Sequence, residues 1–144
     1  MTYRIREVDA SEEEHADIIR EQNGTVDATF PYLTDDELER GYWWLAYDEE
    51  KPVAFAGLIQ SRGSRDTGYL KRAGVLPCAR GHGLQLRLMR ARIAKAKKLG
   101  WTYLVSESTG TPYSANNFIR AGFKIYYPAE PWAFKTSIYW IKKL

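Results

Sequence analysis

Residues 80–83 read Arg-Gly-His-Gly, followed by Leu84 and Gln85. They stand where an alternating, strand-like run, "TGYLKRAGVLP", hands over to a long helical run, "LQLRLMRARIAKAKKLG". The start of a helix exposes unpaired N–H groups and partial positive charge. Glycines let the backbone come close to an anion. Together these features make a phosphate cradle, to which Arg80, His82 and Arg87 add donors. The stretch is not a nucleotide P-loop, because no Gly-Lys-Ser/Thr follows, and "GHGLQL" lacks the third glycine of a dinucleotide fingerprint. The alternative is a plain tight turn, with His82 an exposed turn residue.

Other chemistry-bearing residues are few. His15 belongs to the surface of the first helix, and Cys78 is the only cysteine, so no internal disulfide forms. Arg87, Arg90, Lys97 and Lys98 share one arc of the long helix, opposite Leu86, Met89, Ile93 and Ala96; this reads as a solvated face against an apolar stripe. Trp132, Phe134, Tyr139 and Trp140 either line a pocket between the last strands or are ordinary sheet packing.

The elements that must position these residues follow from local signals. "YRIREV" alternates as a strand. Ser11, before three glutamates, caps a helix that Asn23-Gly24 should break. "TFPY" is loop. Thr34 with Glu37 opens a short helix that ends near Gly41. "YWWLAY" and "PVAFAGLIQ" are apolar strands joined through "DEEK", and "SRGSRD" is a second turn. Gly74 within the next strand marks a bulge or a close backbone approach. The long helix stops at Gly100, "WTYLVS" is a strand, and Thr111-Pro112 caps a helix reaching Arg120. "FKIYY" and "SIYWIKK" close the chain. The order β-α-α-β-β-β-α-β-α-β-β specifies a mixed sheet with helices on its faces.

The 144 residues fit one domain, 1–144. A formal net charge of +3 allows an anionic ligand and does not call for nucleic acid. The opening "MTYRIREVDASEEE" has no apolar signal region, and no run approaches the roughly 20 residues that span a bilayer. With a lone cysteine, the expectation is a cytoplasmic protein without a membrane partner.

"VLPCARGHGLQLRLM" resembles motif A of the GNAT superfamily of N-acetyltransferases: Arg or Gln, two residues, Gly, one residue, then Gly or Ala. "TPYSANNFIRAGFKIYY" resembles motif B, with Gly122-Phe123 as its ending. The element order matches the family along nearly the whole chain. The resemblance implies an α/β (α+β) fold with a mostly antiparallel seven-stranded sheet whose central strands splay apart. It implies acetyl-CoA as cosubstrate, no metal, and an amine acceptor, with a homodimer left open. The pyrophosphate would lie on Arg80, Gly81, His82, Gly83, Leu84 and Gln85. The pantetheine would pair with Ala73 and Val75 as an added strand, with an N–H near Val75 facing the acetyl carbonyl. Thr111, Ser114 and Phe118 of motif B would adjoin the cofactor.

The chain departs from the family pattern at three positions. Gln85 replaces a small residue, Phe118 stands where many members keep a tyrosine acid, and Thr111 replaces an asparagine. The transfer needs a neutral amine: a lysine amine is less than about 0.1% neutral at pH 7, an α-amine about a tenth. Glu107 falls near a base position of some N-terminal acetyltransferases, and Tyr69 where histone-type relatives place a glutamate. Each has a plainer reading, Glu107 as a solvated acid and Tyr69 as a cavity wall. Two further functions stay open: a non-catalytic acyl-CoA-binding module, and a basic nucleic-acid-binding domain that no recognised motif supports.

Overall fold

The computed structural model describes residues 2–27 and 30–144. Its elements are β1 (Tyr3–Val8), α1 (Glu13–Val26), α2 (Asp35–Arg40), β2 (Tyr42–Asp48), β3 (Lys51–Gln60), β4 (Thr67–Val75), α3 (Leu84–Lys98), β5 (Tyr103–Ser108), α4 (Pro112–Arg120), β6 (Lys124–Tyr126) and β7 (Ile138–Lys143), with a 3-10 turn over Pro77–Ala79. This is the order expected from the sequence. Seven strands form one sheet, in the order β1-β2-β3-β4-β5-β7-β6. All neighbours are antiparallel except β4 and β5, which the α3 crossover makes parallel.

Strand alternation sends side chains to two cores. On one face Ile19, Leu33 and Leu38 of the α1–α2 region cover Trp43, Leu45 and Phe55. On the other, Leu84, Leu88 and Ile93 of α3 and Phe118 of α4 cover Trp44, Leu58, Leu104 and Trp140. Ala46, Ala54 and Ala56 line that second face, and their small side chains let α3 lie close to the sheet.

Several local expectations change in three dimensions. The Ser11 hydroxyl does not cap α1; it donates to Asp9 Oδ1 at 2.6 Å, and the helix starts at Glu13. Asn23-Gly24 does not break α1, which runs on to Val26. Asn23 is buried and donates through Nδ2 to Pro31 O at 3.0 Å, so its side chain anchors the segment between α1 and α2. Part of the "TFPY" loop, Thr29, lies outside the described residues, while residues 30–34 form no helix or strand. The Thr34–Glu37 capping box is present and α2 ends at Gly41. Thr111 is the cap residue of α4, but its hydroxyl makes no capping bond. The buried stripe of α3 is Leu84, Leu88, Met89, Arg92, Ile93 and Ala96, with Leu86 only half-buried; Arg87, Arg90, Lys97 and Lys98 are exposed.

Candidate active site

β4 and β5 pair only at Thr67–Tyr103, Gly68–Leu104 and Tyr69–Val105. Beyond Tyr69 the two strands diverge, although β4 continues to Val75 and β5 to Ser108. Ser106 Oγ donates to Leu70 O at 3.2 Å, where the gap opens. A β-bulge accompanies the divergence. Ala56 faces Ala73 and Gly57 faces Lys71, which leaves Arg72 as the extra residue of β4. Gly74 is therefore not the bulge. A Cβ there would sit 2.5 Å from Val26 Cγ2 and 2.9 Å from the Phe55 ring, so the glycine answers to close packing by α1.

Arg92 explains how the bulge is held. Its side chain is 3% exposed. Nη1 donates to Gly57 O at 3.2 Å and Lys71 O at 3.4 Å, the residues flanking the irregularity, and Nε to Leu88 O at 3.3 Å. Burial pulls its pKa down to about 9, which leaves it a cation at neutral pH. The sequence carried a signal for this residue: Arg92 interrupts an apolar row at 84, 88 and 96.

The free edge of β4 leads to the glycine turn. Leu76 N–H bonds to Val53 O of β3 at 2.8 Å, so strand alternation turns the N–H and C=O of Val75, and those of Ala73, toward the gap. Arg80 Nε donates to Val75 O at 3.1 Å. Gly81 and Gly83 have φ of 81° and 74°, the left-handed region that favours glycine. Chain neighbours aside, no atom lies within 4 Å of a Cβ built at either position, so both glycines border open space. Gly83 caps α3 without a side-chain bond, and the first ladder N–H is Arg87 to Gly83 O at 3.1 Å. The amides of Leu84, Gln85 and Leu86 therefore precede the ladder.

Neighbouring side chains keep this helix end clear. The Leu84 side chain is in the core. Gln85 Oε1 accepts from Asn117 Nδ2 at 3.1 Å, which draws Gln85 toward α4. His82 Nδ1 donates to Ala79 O at 3.2 Å, and its ring meets Tyr3 edge-on at 5.4 Å. Arg87 Nη2 donates to Tyr3 O at 3.2 Å. On α4, Thr111 is exposed and Ser114 half-buried, while Phe118 is buried, stacked on Trp140 at 5.2 Å and edge-on to Phe123.

The α1–α2 side of the gap gathers a different set. The Tyr69 ring meets Trp132 edge-on at 6.1 Å, and Trp132 meets Tyr139 at 4.6 Å. Tyr139 OH accepts from Ala133 N–H at 2.8 Å, which fixes the β6–β7 segment over the sheet. Burial pushes the Tyr69 hydroxyl up, and the Glu107 carboxylate pushes it further; the Trp132 indole N–H and Arg72 act in the opposite sense. Tyr69 is thus held protonated at neutral pH. Glu107, half-buried near the end of β5, accepts from Thr109 Oγ1 at 3.2 Å. Lys71 pairs with Glu37 at 2.8 Å. Burial raises the Glu37 carboxyl, but bonds from Lys71 and Thr34 outweigh it, and the pKa ends below the usual range. The expected aromatic cluster divides: Trp132 and Tyr139 stand beside Tyr69, Trp140 packs under α4, and Phe134 is exposed.

Among the described residues, no group of metal-ligating side chains assembles, and no helix is long and apolar enough to cross a membrane. No curated protein sequence matches the chain. Solved structures do match its fold. An acetyltransferase from Bacillus subtilis in complex with CoA is 18% identical over 99% of both chains, with a TM-score of 0.76. A GNAT family acetyltransferase from Elizabethkingia anophelis with acetyl-CoA bound is 18% identical over 99% of this chain and 98% of that one, TM-score 0.74. A chain of the NatC complex bound to Gag peptide and CoA is 20% identical over 100% of this chain and 99% of that one, TM-score 0.79. Residues 5–123 match the acetyltransferase (GNAT) family. With the splayed parallel pair, the open glycine turn at the head of α3 and this match over most of its length, the chain belongs to the GNAT acetyltransferase family.

Proposed function

We propose that the protein transfers the acetyl group of acetyl-CoA to a primary amine by direct attack on the thioester. One observation carries the reading: the unpaired edge of β4 is continuous with the uncapped N-terminus of α3. An extended pantetheine needs a strand edge with available N–H and C=O groups, which Ala73 and the Val75 N–H supply, the Val75 C=O being held by Arg80. A pyrophosphate needs converging N–H groups and positive charge, which Gly81 to Gln85 supply together with Arg80. Nothing fills the space over Gly81 and Gly83.

In the reaction the amine nitrogen attacks the carbonyl carbon, the C–S bond breaks, and the sulfur leaves as thiolate. The Val75 N–H faces the developing oxyanion. Glu107 takes the proton that the nitrogen must lose, directly or through a water. Tyr69, held protonated, walls the acceptor side rather than acting as base. Phe118 cannot donate a proton from the inner face of α4. A thiol with a pKa near 8.5 is a fair leaving group without that help.

The missing hydroxyl at Phe118 also favours a second reading, a module that holds acyl-CoA without turnover. Release of free CoA on addition of amines separates the two. The cradle itself is tested with Gly83→Glu, which places a carboxylate in the phosphate seat. Acetyl-CoA should raise the melting temperature of the wild type by mass action and leave that of the variant unmoved. Equal shifts in both would remove the cradle from the assignment.

A further inference from the structure

We propose that the acceptor amine also carries a carboxylate on an apolar body, and that Arg72 binds this carboxylate. The inference rests on the acetyl-transfer reading and specifies its acceptor. Arg72 is the extra residue of the β4 bulge. Lys71 reaches Glu37 on α2, while the Arg72 guanidinium lies 5.3 Å from the Phe30 ring centroid, in the segment between α1 and α2. Two successive strand residues thus face the same side of the sheet, which a regular strand does not allow and a bulge does.

Arg72 is half-buried and, among the described residues, has no hydrogen bond and no carboxylate within ion-pair distance. Its Nε is cut off from water and has no partner. The other cations of this region are matched: Lys71 with Glu37, Arg20 with Asp35, Arg40 with Asp36, and Arg92 with carbonyls. A buried arginine Nε without an acceptor is costly, and such a group calls for an explanation, which a bound carboxylate supplies here. The planar fork of arginine fits a carboxylate with two parallel bonds.

The surroundings define the rest of the ligand. Arg72 and Glu107 both lie close enough to the Tyr69 hydroxyl to act on its charge, in opposite senses. Glu107 is engaged by Thr109 and does not neutralise Arg72. Aromatic surface is close by: Trp132 meets the Tyr69 ring edge-on, and Phe30 lies against the Arg72 guanidinium. An amine directed to Glu107, a carboxylate on Arg72 and an apolar body against the aromatics match every one of these groups. A peptide N-terminus without a nearby carboxylate leaves Arg72 unpaired.

The test uses matched acceptors that differ only in the carboxylate: phenylalanine with phenylalaninamide, leucine with leucinamide, and 6-aminohexanoate with 6-aminohexanamide. CoA release is measured for each. In the best pair the acid should exceed the amide in kcat/KM by about 10-fold or more, as a charge-assisted bond implies. The α-amides carry the less basic amine, so nucleophile supply works against this result. Arg72→Gln should bring the ratio to about one, and Arg72→Lys should keep part of it. Binding without turnover is read from the thermal shift that 3-phenylpropionate gives CoA-saturated protein. That shift should exceed the one from 3-phenylpropionamide in the wild type, and the difference should vanish in Arg72→Gln.

Amides consumed as fast as acids in every pair overturn the assignment of Arg72 while leaving acetyl transfer standing. So does an acid preference that survives Arg72→Gln, or the lack of any carboxylate-dependent shift. Absence of both an acetyl-CoA thermal shift and CoA release overturns the acetyl-transfer reading, and the acceptor assignment with it.

Discussion

Replacing Arg92 with methionine should damage cofactor binding more than folding. The side chain donates to three carbonyls, but Leu88 O keeps its helix partner, the Arg92 amide, so only Gly57 O and Lys71 O lose their donor. Orphaning buried carbonyls costs about 1–3 kcal/mol each. The longer contact, at 3.4 Å, counts for less than the one at 3.2 Å. Together they sum to about 2–4 kcal/mol. Against this, methionine removes a buried cation with no carboxylate partner, whose desolvation costs several kcal/mol. The two contributions largely offset, so the net change in stability should stay within about 2 kcal/mol, or a shift in Tm of no more than roughly 8 °C for a chain of this size.

Binding responds differently. Without the clamp, β4 can relax into a regular ladder with β3, and a one-residue slip turns the Ala73 and Val75 amides away from the gap. Two lost backbone bonds at about 1 kcal/mol each weaken acetyl-CoA binding about 30-fold. Urea unfolding measures the first quantity, and titration calorimetry with acetyl-CoA the second. Hydrogen exchange over residues 70–75 reports the bulge itself. Arg92→Lys, which can still reach one carbonyl, should fall between. A methionine variant that binds acetyl-CoA like the wild type would refute the link between Arg92, the bulge and the cofactor edge.

Two further outcomes concern single carboxylates. Glu107→Gln should lower turnover about 10²-fold with the best acceptor while acetyl-CoA binding, followed by thermal shift, stays intact; near-normal turnover would make Glu107 a solvated acid. The Glu37 carboxyl is held below its ordinary value by Lys71 and Thr34 against the opposing effect of burial. A depressed carboxyl contributes stability that is present above its unfolded pKa of about 4.3 and is lost as pH falls through the folded value. The stability gap between wild type and Glu37→Gln should therefore be full at pH 7 and close below about pH 4; a pH-independent gap in urea unfolding would contradict this.

What was legible in the sequence was whatever depends on near neighbours. The Thr34–Glu37 box, the stop at Gly41 and the Arg-Gly-His-Gly turn before an amphipathic helix all use bonds or dihedrals spanning a few residues, and each reappears in place. The motifs around Arg80 and Gly122 carried the family for the same reason. Where local signals erred, a distant group had intervened. Asp9 takes the Ser11 hydroxyl, and Pro31 takes Asn23 and lets α1 continue to Val26, whose side chain then requires a glycine at 74.

The site's geometry was decided at longer range still. Glu107 and Tyr69 could be named singly, but their shared neighbourhood with Trp132 depends on β5 lying parallel to β4 and β7 returning beside β5. The bulge at Arg72 is a register relation between β3 and β4, and Arg92 reaches it from 35 residues beyond Gly57. Gly74 looked like the irregular residue because glycine is the visible local sign, whereas an extra residue in a ladder shows only when both strands are paired. Arg72 carried no mark of its own. Only tertiary structure could decide that it faces the same side as Lys71 and that its side chain finds no ion-pair partner among the described residues, because both facts depend on what the rest of the chain places around it.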